Sequence, residues 1–155
     1  MFLTANEMNT VLYEYQLEQI TEGNDAIVMT AINTAIEEVS SYLTGNNKNE
    51  WNDGRVQYDV AAIFAATGLA RNALVLAHVK TCAEWWILQL CNADILYEKA
   101  KDRYDRTIDF MKKLAKGDVT ISSLPVLVPP TVDADGNKLE LYPFRMGGRA
   151  KFNHE

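Results

Sequence analysis

Cysteine, histidine and proline are scarce in this chain, and each scarcity removes a class of answer. Of 155 residues, two are Cys, two are His and four are Pro. Cys82 and Cys91 fall in one helical stretch; at about 100° per residue they face opposite sides and cannot pair within it. Two buried free thiols in a reducing cytoplasm are the expectation. His78 and Cys82 have a spacing that can hold a metal, but there is no third Cys, and the other His, His154, lies in the tail. As a nucleophile Cys82 would need His78 as its base, and no oxyanion or substrate feature accompanies the pair. Gly147-Gly148-Arg149 is too short for a phosphate loop and lacks the flanking strand and helix. No uncharged apolar run reaches the roughly 18 residues a membrane span needs. No basic segment precedes an apolar one at the start, so no signal peptide is expected. No catalytic residue, cofactor or metal is expected.

What is present is an ordinary globular composition, 48% hydrophobic and 23% charged, at a length suited to one domain with a real core. The net charge of −6 argues against generic nucleic-acid binding, and it is unevenly spread: −8 over residues 1–60, +3 over 61–117 and −1 over 118–155. Such a split suits a solvated acidic face or head-to-tail contacts between copies. Tyr13, Tyr15 and the basic tail are residue types that bind single-stranded nucleic acid, but they are not interleaved on one expected surface.

The stretch from Asn72 to about Ala93 organises the rest. It has helical length, no Gly or Pro, and apolar residues on almost every side, with Lys80 and Glu84 in its middle. A helix of this type must be covered by others. Before it, Thr4 and Glu7 form a capping box with Leu3 and Met8 at staple positions, so a short helix ending near Tyr13 is expected, then a turn around Tyr15–Ile20. Asn24 caps an amphipathic helix over Asp25–Thr44, with Val28, Ile32, Ala35, Val39 and Tyr42 inward, Glu37 and Glu38 outward, and Gly45 as the stop. Gly45–Gln57 reads as a surface loop. Its Trp51 is free either to tuck onto the core or to insert into a partner.

Asp59 is placed to cap a helix over Val60–Thr67 ended by Gly68, and Asn72 to cap the central helix. Asp94–Lys116 is the clearest amphipathic helix: Tyr97, Ala100, Tyr104, Ile108, Met111 and Ala115 form the stripe, with Leu114 beside it. Asp102/Arg106 and Asp109/Lys113 are favourable i,i+4 pairs, Asp102 and Asp105 lie on the surface, and Gly117 is the stop. Beyond it, Pro125, Pro129 and Pro130 forbid helix, and a loose hairpin between about Val126 and Tyr142 is expected around Asp133–Asn137. The fold class is therefore all-α: a small bundle of about four to five helices over residues 1–121, two of them long and one central and apolar. An extended arm or β-hairpin occupies 122–155. An arm with so little core of its own is ordered by a partner or not at all.

Several segments taken together resemble a known family. They are the opening Met1–Asn9, Ile20-Thr21-Glu22-Gly23, Ala35-Ile36-Glu37-Glu38-Val39 with Ser41-Tyr42-Leu43, Tyr58-Asp59, Arg71-Asn72, Arg103-Tyr104-Asp105 and Gly117. In this order the chain resembles the Mu-like head–tail connector (head-completion) proteins of tailed bacteriophages over about residues 1–121. Asn46–Arg55 looks inserted relative to that pattern, Gln57 stands in place of its Arg, and the tail is richer in Pro. The resemblance implies a non-enzymatic virion structural protein, made in the bacterial host cytoplasm and placed at the head–tail interface. It implies a homo-oligomeric, dodecameric ring beneath the portal protein that extends the DNA channel and receives the next tail-proximal protein. DNA would pass without sequence-specific binding, and no membrane is involved. The docking elements expected are Trp51 and, on the arm, Leu141, Tyr142, Phe144, Arg145, Arg149 and Phe152. Heterologous ring contacts suit complementary charge regions, and an acidic N-terminal half would keep passing DNA from sticking. The alternative is a small helical phage regulatory or DNA-packaging accessory protein acting as monomer or dimer. An enzyme built on His78 and Cys82 is a third reading.

Overall fold

Local chemistry at the helix ends sets the element order in the computed structural model, which describes residues 1–44, 56–91 and 97–127. Thr4 donates its backbone N–H and its hydroxyl to Glu7 Oε2, each at 3.0 Å, and this starts a 3₁₀ turn over Ala5–Thr10. The turn is shorter than the expected helix to Tyr13, and the staple residues Leu3 and Met8 at its start are both fully buried. Helix α1 (Glu14–Thr21) ends where Glu22 and Gly23 both take positive φ, 53° and 72°. Asn24 Oδ1 then accepts from Ala26 N at 3.1 Å and opens α2 (Asp25–Leu43). Its expected stop, Gly45, lies outside the described residues.

Asp59 Oδ1 accepts from Ala62 N at 2.9 Å and opens α3 (Val60–Ala65). Gly68 does not end this helix, as expected, but begins a separate 3₁₀ turn, Gly68–Ala70, at φ 56°. Asn72 caps α4 (Ala73–Leu90) by accepting from Leu74 N and Val75 N at 3.0 and 3.1 Å. Helix α5 (Tyr97–Lys116) closes at Gly117, φ 84°. There Gly117 N donates to Leu114 O and Asp118 N to Lys113 O, at 3.0 and 2.9 Å, the paired bonds of a left-handed cap. The expected start of this helix at Asp94 lies outside the described residues.

The core forms where α2 lies along α4, the most extensive helix contact, with α5 packed on both. Val28, Ala31, Ile32, Ala35, Val39 and Leu43 of α2 meet Val75, Val79, Cys82, Ala83 and Ile87 of α4 in one buried cluster. Each large aliphatic side chain in it contributes about 1.5–3 kcal/mol of burial. The cover over α4 is incomplete, since Leu74 and Leu90 stay 43% and 46% exposed. On α5 the inward line is Ala100, Thr107, Met111 and Leu114. Ala115, expected in the stripe, is exposed, and Tyr97 is 39% exposed while its ring lies against Trp85 of α4. The ion pair Asp102–Arg106 forms at 2.8 Å, and Lys101–Asp105 joins it at 2.8 Å.

The helical unit does not stop at residue 121. Leu124 is buried in the core, Ser123 Oγ accepts from Asn72 Nδ2 at 2.8 Å, and Ile121 N donates to the Tyr58 hydroxyl at 2.9 Å. Val126, where the hairpin is expected to begin, makes an antiparallel bridge with Tyr58. Asp59 N donates to Pro125 O at 2.9 Å and Leu127 N to Gln57 O at 2.8 Å. The rest of the expected hairpin lies outside the described residues, and among those described no strand forms.

Candidate functional site

Trp51, Leu141, Tyr142, Phe144, Arg145, Arg149 and Phe152 all lie outside the described residues, as does His154. The described residues do place His78 and Cys82. The Cys82 thiol is fully buried, and desolvation, reinforced by the nearby Glu38 carboxylate, pushes its pKa up to about 12. That is the reverse of what a nucleophilic or metal-binding thiolate needs. His78 stacks on Phe110 with centroids 4.8 Å apart, and its Nδ1 lies 3.3 Å from Thr107 Oγ1. Burial lowers its pKa, and Nε2 is buried without a hydrogen-bond partner. The imidazole is thus a half-buried group packed against α5, where burial favours its neutral form. Among the described residues no group of three or more His, Cys, Asp or Glu side chains is placed to hold a metal ion. No described helix is long and apolar enough to cross a membrane.

Two carboxylates expected on the surface, or passed over, are drawn inward. Glu38 accepts from Trp86 Nε1 at 2.8 Å and from the Tyr104 hydroxyl, so it ties α2 to α4 and α5 rather than facing water. Burial and that carboxylate together hold the Tyr104 hydroxyl protonated far above its ordinary range. Trp85 stacks on the other side of this junction, 5.1 Å from Tyr104 and 5.3 Å from Tyr97.

Glu84 is the second. Its side chain is only 4% exposed, and its two oxygens lie 3.3 and 3.4 Å from a single nitrogen, Nη1 of Arg103. Desolvation raises its pKa, with Arg103 and then Lys99 opposing. Glu84 lies in a cleft of about 310 Å³, lined also by Asn9, Tyr13, Gln16, Lys99 and Arg103. The cleft lies where the Ala5–Thr10 turn and α1 meet α4 and α5. Lys80 stands nearby, donating Nζ to Thr10 Oγ1 at 3.0 Å.

Asn9 and Tyr13 also line a second, more open hollow beside it, with Glu14, Tyr15 and Glu18. Tyr13 and Tyr15 stack at 5.8 Å with planes 12° apart, and are 67% and 63% exposed. A third depression, about 370 Å³, is lined largely by alanines of α3 and the start of α4, with Ser123, Leu124 and Pro125. Lys99 and Arg103 are visible in the sequence as two cations at i,i+4. That Tyr13 and Asn9 would meet them is set by tertiary packing alone. Compared with protein-family models, curated proteins and solved structures, the chain finds no match.

Proposed function

We propose that this protein is a head–tail connector subunit of a tailed bacteriophage, a structural protein that rings the channel beneath the portal. The observation that supports this reading is how the segments bearing the family resemblance meet. Arg71 of the Arg71-Asn72 segment donates to both oxygens of Glu7 in the opening segment. Tyr104 of Arg103-Tyr104-Asp105 donates to Glu38 of the Ala35–Val39 segment, and Asn72 and Tyr58 bond Ser123 and Ile121. Two pairs of these segments, far apart in sequence, are thus hydrogen-bond partners, and two more bond the stretch that follows Gly117.

In this reading Trp51 and the residues Leu141, Tyr142, Phe144, Arg145, Arg149 and Phe152 are the docking elements toward neighbouring copies, the portal protein and the next tail-proximal protein. The acidic N-terminal portion faces passing DNA without binding it. The test is mass by light scattering, with negative-stain imaging, on the full chain and on a chain ending at Leu127, each with and without the candidate portal. Ring formation, or portal binding lost on shortening, is the expected result. A monomer or dimer indifferent to portal and truncation would overturn it in favour of a regulatory or packaging accessory protein.

A further inference from the structure

The cleft around Glu84 holds donors that no described residue takes up. Arg103 spends one nitrogen, Nη1, on Glu84, at distances near the outer limit of a hydrogen bond. Its remaining N–H groups and the Lys99 ammonium make no other hydrogen bond or ion pair among the described residues. Asn9, Gln16 and Tyr13 add neutral polar groups to the same walls. Lys99 and Arg103 outweigh the single carboxylate, so the cleft carries a net positive charge, and its volume suits a small molecule. A guanidinium and an ammonium lining one cleft are suited to an oxyanion.

The adjoining shelf narrows the class. Tyr13 belongs both to the cleft and to the exposed Tyr13–Tyr15 stack, so a group seated on Arg103 and Lys99 has an aromatic surface immediately beside it. Glu14 and Glu18 line the shelf itself. They repel a polyanion laid along it, which disfavours a nucleic-acid strand, yet they leave room for a flat uncharged ring. We infer that this cleft binds a small aromatic carboxylate, with the carboxylate on Arg103 and Lys99 and the ring on Tyr13. The inference stands apart from the connector reading and rests only on the cleft.

The test is an NMR titration of the full-length chain with 3-phenylpropionate, acetate, 3-phenylpropanol and oligothymidylate in turn. Saturable shifts at Asn9, Tyr13 and Gln16 are expected with 3-phenylpropionate, at an affinity above that of acetate or the alcohol. Lys99→Gln and Arg103→Gln should each weaken binding by about tenfold or more, as loss of a charge-assisted hydrogen bond does. Lys99 is exposed, so K99Q reads binding even if R103Q perturbs the fold. Tyr13→Ala should remove the advantage of 3-phenylpropionate over acetate, since the ring loses its platform. Non-saturable shifts, or binding indifferent to K99Q and R103Q, would mean an adventitious additive only and would overturn the assignment. Tighter saturation of the same residues by oligothymidylate would overturn the ligand class.

Discussion

Arg71 grips Glu7 with both terminal nitrogens, Nη1 to Oε2 at 3.0 Å and Nη2 to Oε1, while the same guanidinium also donates to two carbonyls. Those bonds run from Nη1 to Phe2 O at 2.6 Å and from Nε to Gly68 O at 2.9 Å. One side chain thereby fastens the N-terminal turn to the connection between α3 and α4. The Arg71 side chain is 11% exposed, so its bonds are shielded from competing water.

Replacing Arg71 by Ala is expected to cost about 1.5–3 kcal/mol, the range for hydrogen bonds to charged groups, read as a lower urea midpoint. The pair also sets an acid limb. Arg71 and the Thr4 amide hold the Glu7 pKa down, from 4.5 to about 2. A lowered carboxylate pKa means the stabilisation is complete above the unfolded value and is lost as pH falls from 4.5 toward 2. Wild type should therefore lose stability in that window, and Arg71→Ala should flatten it. Parallel acid titrations that superimpose would refute the coupling.

Glu84→Gln should stabilise the fold at neutral pH by about 1 kcal/mol. The carboxylate is desolvated, whereas Arg103 is 42% exposed and can turn to water when its partner loses charge. Because burial raises the Glu84 pKa, the folded state takes up this proton before the unfolded chain does. Wild type then gains on the variant as pH drops, and the gap between them should close in acid. A gap that widens instead would mean Arg103 repays the burial in full.

The two thiols should separate cleanly in a reaction with an aromatic disulfide reagent. Cys91 is half-buried and Cys82 fully buried with its proton held by desolvation. Cys91 should be modified first, and Cys82 only at the rate of unfolding. Equal rates in the native state would show that α4 opens locally.

Leu124→Ala is expected to cost about 2–4 kcal/mol, as truncating a buried Leu does, because Leu124 is 4% exposed within the core. A chain ended after Ser123 should unfold more readily than one ended after Leu127, since it also loses the bridge at Val126. Thermal midpoints of the two chains decide this. Equal values would return residues 124–127 to the arm.

Helix starts and stops were legible because they are local: Thr4 with Glu7, Asn24, Asp59, Asn72 and Gly117 each act within a few residues of themselves. The inward face of α2 was readable for the same reason. What failed depends on partners far along the chain. Glu37 and Glu38 look alike in sequence, yet only Glu38 lies under Trp86 and Tyr104. Thr107 turns inward because His78 meets it across the helix pair, and this leaves Ala115 outside the stripe. The cleft was not read from the sequence: Lys99 and Arg103 are two cations among many on α5, and the walls from Asn9 and Tyr13 come from the opposite end of the chain.

The Tyr58–Val126 bridge has a mechanical consequence. Its flanking bonds, Asp59 N to Pro125 O and Leu127 N to Gln57 O, clamp the chain at Leu127 against Gln57. A pull on the segment after Leu127 therefore loads this two-bond clasp before any helix bears tension. The expected consequence is that these two bonds part before any helix unwinds.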